Sequence, residues 1–185
     1  MAKTISFTLD PESISKAIKE LRDYSKEFER KCKELRKRIA EKIRWSAENG
    51  FSQAIVSDVI RGDADLTNDV QVTVSHDESV SIVMASGTQA VFIEYGAGVY
   101  HNGGEGMIGS SPHPWVEDGT ETRPFFIGMY GDGNGAHNAW GYYKNGRKSQ
   151  DNVVVTRGTP AAMPMYRGYM EAINTIGELI QEVFG

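Results

Sequence analysis

From Ile14 to Ile43 the apolar residues fall at steps of three, four or a full seven: Ile14, Ile18, Leu21, Phe28, Cys32, Leu35, Ile39 and Ile43. Ser25 is the weak position in that stripe, and Ala47, Phe51 and Ile55 continue it. This period is that of an amphipathic α-helix, and its length constrains how the rest of the chain can pack. Asp10 reads as the N-cap and Pro11 as the first helical residue. Glu12/Lys16, Glu27/Lys31, Glu29/Lys33 and Glu34/Arg38 are i,i+4 pairs in the favourable order. Glycine is costly inside a helix, so a break is expected near Asn49-Gly50, with the helix resuming to about Ile60. Such a stripe suits either a coiled-coil-like contact with another subunit or one helix lying across a sheet. A sheet is the expected partner of the second half. The first half is open to either.

The remaining elements are shorter. Ile5, Phe7 and Leu9 alternate with polar residues and predict a short strand before the helix. Arg61-Gly62-Asp63-Ala64-Asp65 reads as a turn. Val70, Val72 and Val74, then Val80, Ile82 and Met84, predict a β-hairpin with one wet face. Val91 to Tyr95 is nearly continuous in apolar character and predicts a buried strand or short helix. Val153 to Thr156 is the last strand. Arg157-Gly158-Thr159-Pro160 turns into a closing helix from about Pro164 to Phe184, with Tyr166, Tyr169, Ile173, Ile176, Ile180 and Phe184 as its stripe. The expected fold class is therefore α+β: a long N-terminal helix and a C-terminal helix packed on a small, mainly antiparallel sheet. A chain of 185 residues fits one domain, 1–185.

The segment from Gly98 to about Asn152 departs from this pattern. It holds most of the glycines, three of the four histidines and two of the three tryptophans, with little periodicity. It is too aromatic for a plain linker, because Trp115, Phe125, Phe126, Tyr130, Trp140, Tyr142 and Tyr143 need partners. Residues 99–152 are expected to form an extended loop or hairpin arm, inserted in the domain and ordered against a neighbour.

Charge is unevenly divided. Residues 1–61 hold 14 Lys+Arg against 10 Asp+Glu, and residues 62–185 hold 6 against 15. Opposite ends of opposite sign suit head-to-tail contacts between identical subunits; the same division also fits a solvated helix on an acidic body. The basic run Arg30 to Arg44 is interrupted by Glu34 and Glu41 and has no aromatics on its polar face, so a solvated helix face is expected there rather than specific nucleic-acid binding. No apolar run approaches the roughly 18 residues of a membrane span. The single Cys32 forms no internal disulfide, and the first residues lack an apolar signal core. A cytoplasmic site of synthesis or assembly is expected.

Few residues suggest chemistry. His101, Glu105, His113, Glu117, Asp118 and His137 have no metal-ligand spacing. Asp132-Gly133-Asn134-Gly135 opens like a calcium loop, but His137 and Tyr143 occupy the positions that require Gly and Glu. The glycines at 96, 98, 103, 104 and 106 match no phosphate-binding pattern. Cys32, on the helix stripe, reads as a small core residue. Glu94 is the one anomaly, an acid inside an apolar run. A buried carboxylate needs a partner: Arg157, Arg167, or the N–H groups of the Gly96–Gly98 turn. A structural role is expected, and no cofactor.

Three stretches carry a resemblance: Phe92-Ile93-Glu94-Tyr95-Gly96-Ala97-Gly98, the cluster Trp140-Gly141-Tyr142-Tyr143, and Thr156-Arg157-Gly158-Thr159-Pro160-Ala161-Ala162-Met163-Pro164-Met165 before the last helix. Together, and in this order, they resemble the small neck and tail-component proteins of tailed bacteriophages of the lambdoid type, which also occur in prophages. Ala97 stands where Thr is more usual, and the 98–152 segment is longer than is typical. The resemblance implies a non-enzymatic building block of the virion, assembled in the bacterial host cytoplasm: a tail-completion or head–tail joining protein. Such a protein would form a homo-oligomeric ring, with six subunits the best estimate, beside other phage neck or tail proteins. Glu94, Tyr95, Gly96 and Gly98 would hold one root of the long loop. Arg157, Gly158, Pro160 and Pro164 would hold the other, with Trp140, Tyr142 and Tyr143 in the loop for assembly. The alternatives are a monomeric binding module or toxin-like factor encoded with phage genes, and a hydrolase using the loop acids and histidines.

Overall fold

The computed structural model describes residues 6–64, 66–97, 135–136, 139–144 and 153–185. Helix α1 spans Pro11–Ser52, 42 residues. The Asp10 carboxylate accepts from the Ser13 N–H at 2.8 Å and caps its N-terminus, with Pro11 in the first turn. The helix runs through Asn49-Gly50 without a break. Gly50 is held there by close packing: a Cβ on it would lie 2.9 Å from the Cβ of Pro164. The helix then stops at Ser52 instead of resuming. The Asn68 side-chain amide donates to the Phe51 carbonyl at 2.6 Å, satisfying one of the open groups of the last turn. Ile55, expected to extend the stripe, is 60% exposed.

The expected strand over 5–9 does not form in its described part, 6–9. Thr8 instead donates its N–H to the Ser13 hydroxyl at 3.0 Å, winding the chain onto the start of α1.

Two small antiparallel sheets follow. Strands β2 (Gln71–His76) and β3 (Ser81–Ser86) form a hairpin, with Val72 opposite Ala85 and Val74 opposite Val83. Asp77 closes its turn by accepting the N–H groups of Ser79 and Val80. The β3 face differs from expectation. Val83 and Ala85 pack inward with Val72, while Ile82 and Met84 face outward. Register decides this: the pairing that buries Val72 leaves the larger β3 side chains on the other face.

Among the described residues the second sheet has the order β1–β6–β5–β4: β1 (Val59–Arg61), β6 (Val153–Thr156), β5 (Ala139–Tyr143) and β4 (Gly135–Ala136). The β1–β6 register shifts between Val59 and Arg61, a bulge. Gly62 follows at φ 84°, where a side chain would run into the Val153 carbonyl.

Helix α2 (Ala90–Tyr95) is the Val91–Tyr95 stretch, helical rather than extended. The closing helix is two helices, α3 (Pro164–Asn174) and α4 (Ile176–Phe184). Thr175 interrupts it, its hydroxyl bonding back to the Glu171 carbonyl at 3.0 Å, a contact that bends helices.

The core lies where the end of α1 meets the hairpin and α2. Ala47, Phe51, Val72 and Ile93 are its buried centre, with Val83, Ala162 and Met165 packed against them. Helices α3 and α4 run back along α1. Pro164 meets Gly50, Gly168 lies over Ile43 to Ala47, Glu171 reaches Ser46 and Lys42, and Glu182 reaches Arg38. The last contact of the series is Phe184 beside Phe28, ring centres 5.7 Å apart. Residues 11–27 extend past it, about 25 Å of helix. Cys32 is exposed rather than in the core.

Candidate functional site

The site of interest is the junction where the chain leaves for residue 98 and returns at residue 153. On the outgoing side α2 is set at its start by Asp69. Its carboxylate accepts the N–H groups of Thr88 (2.9 Å) and Gln89 (3.2 Å) and the Thr88 hydroxyl (2.7 Å). The Thr88 N–H above all, then its hydroxyl, holds the Asp69 carboxyl below its ordinary value. At its end α2 is closed by Gly96 at φ 78°, whose N–H donates to the Phe92 carbonyl at 2.8 Å.

On the return side, residues 156–162 form a strap between β1 and α2. Toward α2, Ala97 N–H donates to Thr159 O and Ala162 N–H to Ile93 O, both at 2.8 Å. Toward β1, Asp58 N–H donates to Gly158 O at 2.7 Å and Arg157 N–H to Asp58 O at 2.9 Å. The Arg157 guanidinium lies 3.3 Å from the Asp58 carboxylate. Thr156 and Thr159 are buried and fasten the strap through their hydroxyls, to Asp58 O at 2.8 Å and Val56 O at 2.7 Å. Gly158 turns at φ 112°, its N–H bonded to the Thr156 hydroxyl.

Glu94 ties the two sides together. It is 4% exposed. Its Oε2 accepts the Met165 N–H at 2.8 Å and its Oε1 the Tyr166 N–H at 3.1 Å. These are open donors of the first turn of α3, so Glu94 caps a helix about 70 residues further on. A negative charge there is also favoured by the helix dipole. The local N-cap, Met163, makes no side-chain bond and sits in the left-handed region at φ 54°, the one non-glycine to do so among the described residues. That conformation costs on the order of 1–3 kcal/mol. It is held by the bond of Ala162 to Ile93, the burial of Pro164 and the Glu94 cap.

The expected partner of Glu94 was an arginine or the turn beside it. Each carboxylate oxygen meets α3, Arg157 is engaged by Asp58 and Arg167 is exposed, while Gly98 of the expected turn lies outside the described residues. Tyr95 is half-buried, and burial, then the Glu94 charge, raises its pKa. Pro160 is half-buried in the strap and Pro164 fully buried against α1. Trp140, Tyr142 and Tyr143 lie in β5, whose backbone pairs with β6: Trp140 opposite Thr156, Tyr142 opposite Val154, Tyr143 opposite Val153. Gly98 lies outside the described residues, as do the loop acids and histidines weighed for a metal. So Glu94, Tyr95, Gly96, Arg157, Gly158, Pro160 and Pro164 converge on one junction, with β5 entering from the side.

No family model, curated protein or solved structure matches this chain.

Sequence reasoning missed Asp58, Asn68, Asp69, Thr156 and Thr159 as fasteners of the junction. Asp69 reaches Thr88 and Gln89 across the whole β2–β3 hairpin, and the others likewise bond to groups distant in sequence, which no local pattern marks.

Proposed function

We propose that this chain is a structural, non-enzymatic subunit of a tailed-bacteriophage or prophage virion. In this reading it is a tail-completion or head–tail junction component, assembled in the bacterial host cytoplasm through contacts between identical subunits into a ring of about six. The observation that best supports assembly is the placement of exposed apolar surface on three separate parts of the fold. Ile82 and Met84 are 57% and 56% exposed on the hairpin's outer face. Tyr169, Met170, Ile173 and Ile180 are exposed on α3 and α4. Ile18, Leu21 and Phe28 are exposed on the first half of α1. Apolar faces of this kind mark contact sites. A ring of identical subunits needs two different faces on each copy, and the opposite charges of the two parts of the chain suit such a contact.

The junction fits the same reading. Two of the stretches that carry the phage resemblance, 92–98 and 156–165, are bonded to one another at the base of the long segment. A carboxylate with both oxygens taken by N–H donors suits holding that base rather than proton transfer. The expected partners are copies of this chain and other neck or tail proteins.

Negative-stain electron microscopy of the purified chain, across a concentration series, tests this. Rings of uniform diameter are the expected result. A particle of single-chain size at every concentration, with or without neighbouring neck proteins, would move the reading to a monomeric binding module.

A further inference from the structure

From Ile14 to Ile39 the stripe of α1 advances in alternating steps of four and three without exception, counting Ser25 and Cys32. A strict seven-residue repeat over this length suits a second helix better than a sheet, which a period of 3.6 serves. The first half of the stripe is exposed: Ile14 36%, Ile18 44%, Leu21 55%, Phe28 49%. The second half floors an open groove of 280 Å³ between α1 and the hairpin, lined by Cys32, Leu35, Ile39, Ile43, Ser81 and Val83. One apolar seam therefore continues from the bare end of the helix into a groove in the body.

We propose that the occupant is a second copy of this chain, its α1 antiparallel to the first about a two-fold axis between Lys26 and Glu27. The bare end of each helix then seats in the groove of the other. Size complementarity sets this register. Ser25 of one copy faces Phe28 of the other, and Leu21 faces Cys32, so small meets large in the four central layers. Ile18 faces Leu35 and Ile14 faces Ile39, which uses the whole seam. Charge complementarity agrees. Arg22 on one flank lies opposite Glu29 of the second copy, twice by symmetry, while α4 lies along the other flank, Lys31 over the Phe184 ring. A parallel pairing would set Ser25 on Ser25 and Phe28 on Phe28, and bring Lys31 toward Arg36. The contact is isologous and closes on itself. It does not rest on the ring: a ring can form without it, and the pair can form in a chain of another role.

The test uses the full-length chain in sedimentation equilibrium with circular dichroism as the control for fold. The wild type is expected to be a dimer at the low end of the concentration range, below that at which rings form. Arg22→Glu weakens it about tenfold, and the double variant Arg22→Glu/Glu29→Arg returns it to within about threefold of wild type. Under a mild oxidant Leu21→Cys gives a covalent dimer through Cys32 of the other copy. The wild type does not, since its two Cys32 residues would stand about 16 Å apart along the helices. A wild type that is monomeric throughout, a charge swap that fails to restore association, or wild-type crosslinking through Cys32 itself would each overturn the proposal.

Discussion

Glu94 shows what one residue can disclose and conceal. Its position in an apolar run marks it as a buried acid that needs a partner, and burial is what the structure shows. The partner was not legible. Two backbone N–H groups at the start of α3 carry no side-chain signature, and the residue that brings them within reach, Met163, adopts a left-handed conformation that a methionine does not advertise. The cap gives a direct prediction. Glu94→Ala leaves two open N–H donors in a part-buried site and removes the tie between α2 and α3, costing about 2–4 kcal/mol of stability. Glu94→Gln keeps one acceptor oxygen but turns an NH₂ group toward a donor, so it recovers only part of the loss. Urea unfolding at constant slope measures both; midpoints equal to wild type would show that the cap is dispensable.

At the scale of elements, what could be read depended on whether hydrophobicity reported burial. The N-terminus of α1 was legible from the local signals of Asp10 and Pro11, not from burial, and alternation with a turn located the β2–β3 hairpin but put the wrong β3 side chains inside. The α+β class follows from those elements. Hydrophobicity failed to report burial on α3. The stripe from Tyr166 to Phe184 looked like the inner face, yet Tyr169, Ile173 and Ile180 are exposed, while Pro164, Gly168 and Ala172 are buried at steps of four. Small residues bury little apolar area, so periodicity gives them no weight, but they let two backbones approach. A Cβ on Gly168 would lie 2.9 Å from the Ile43 carbonyl oxygen and 3.3 Å from the Ala47 nitrogen. Both are main-chain atoms of α1, which cannot rotate away. Gly168→Ala gains about 1 kcal/mol of helix propensity and still destabilises by about 1–3 kcal/mol through overpacking. Gly168→Val should cost more. Thermal unfolding followed at 222 nm decides: a rise in Tm for the alanine variant would mean that the close approach is not needed.

At the scale of the whole molecule, the long segment can be tested in two parts. Residues 103–134 lie outside the described structure, whereas β5 pairs along β6 and covers its edge. The strap after β6 is bonded directly to the chain leading into β1 and to α2. Removing residues 103–134, with a short Gly/Ser bridge, leaves every contact described above in place, and its Tm should stay close to that of the full chain. Removing 103–149 also takes β5, exposes the edge of β6 and should lower Tm by several degrees, with a tendency to aggregate through the freed edge. If the aromatic-rich segment makes the contact between ring subunits, both deletions abolish rings in the microscope while only the longer one weakens the fold. The shorter deletion isolates assembly from stability. Rings that persist without residues 103–134 would place the subunit contact on the exposed faces of the hairpin, α3 and α4. Unfolding of the shorter variant would instead make that segment part of the domain's core rather than an arm upon it.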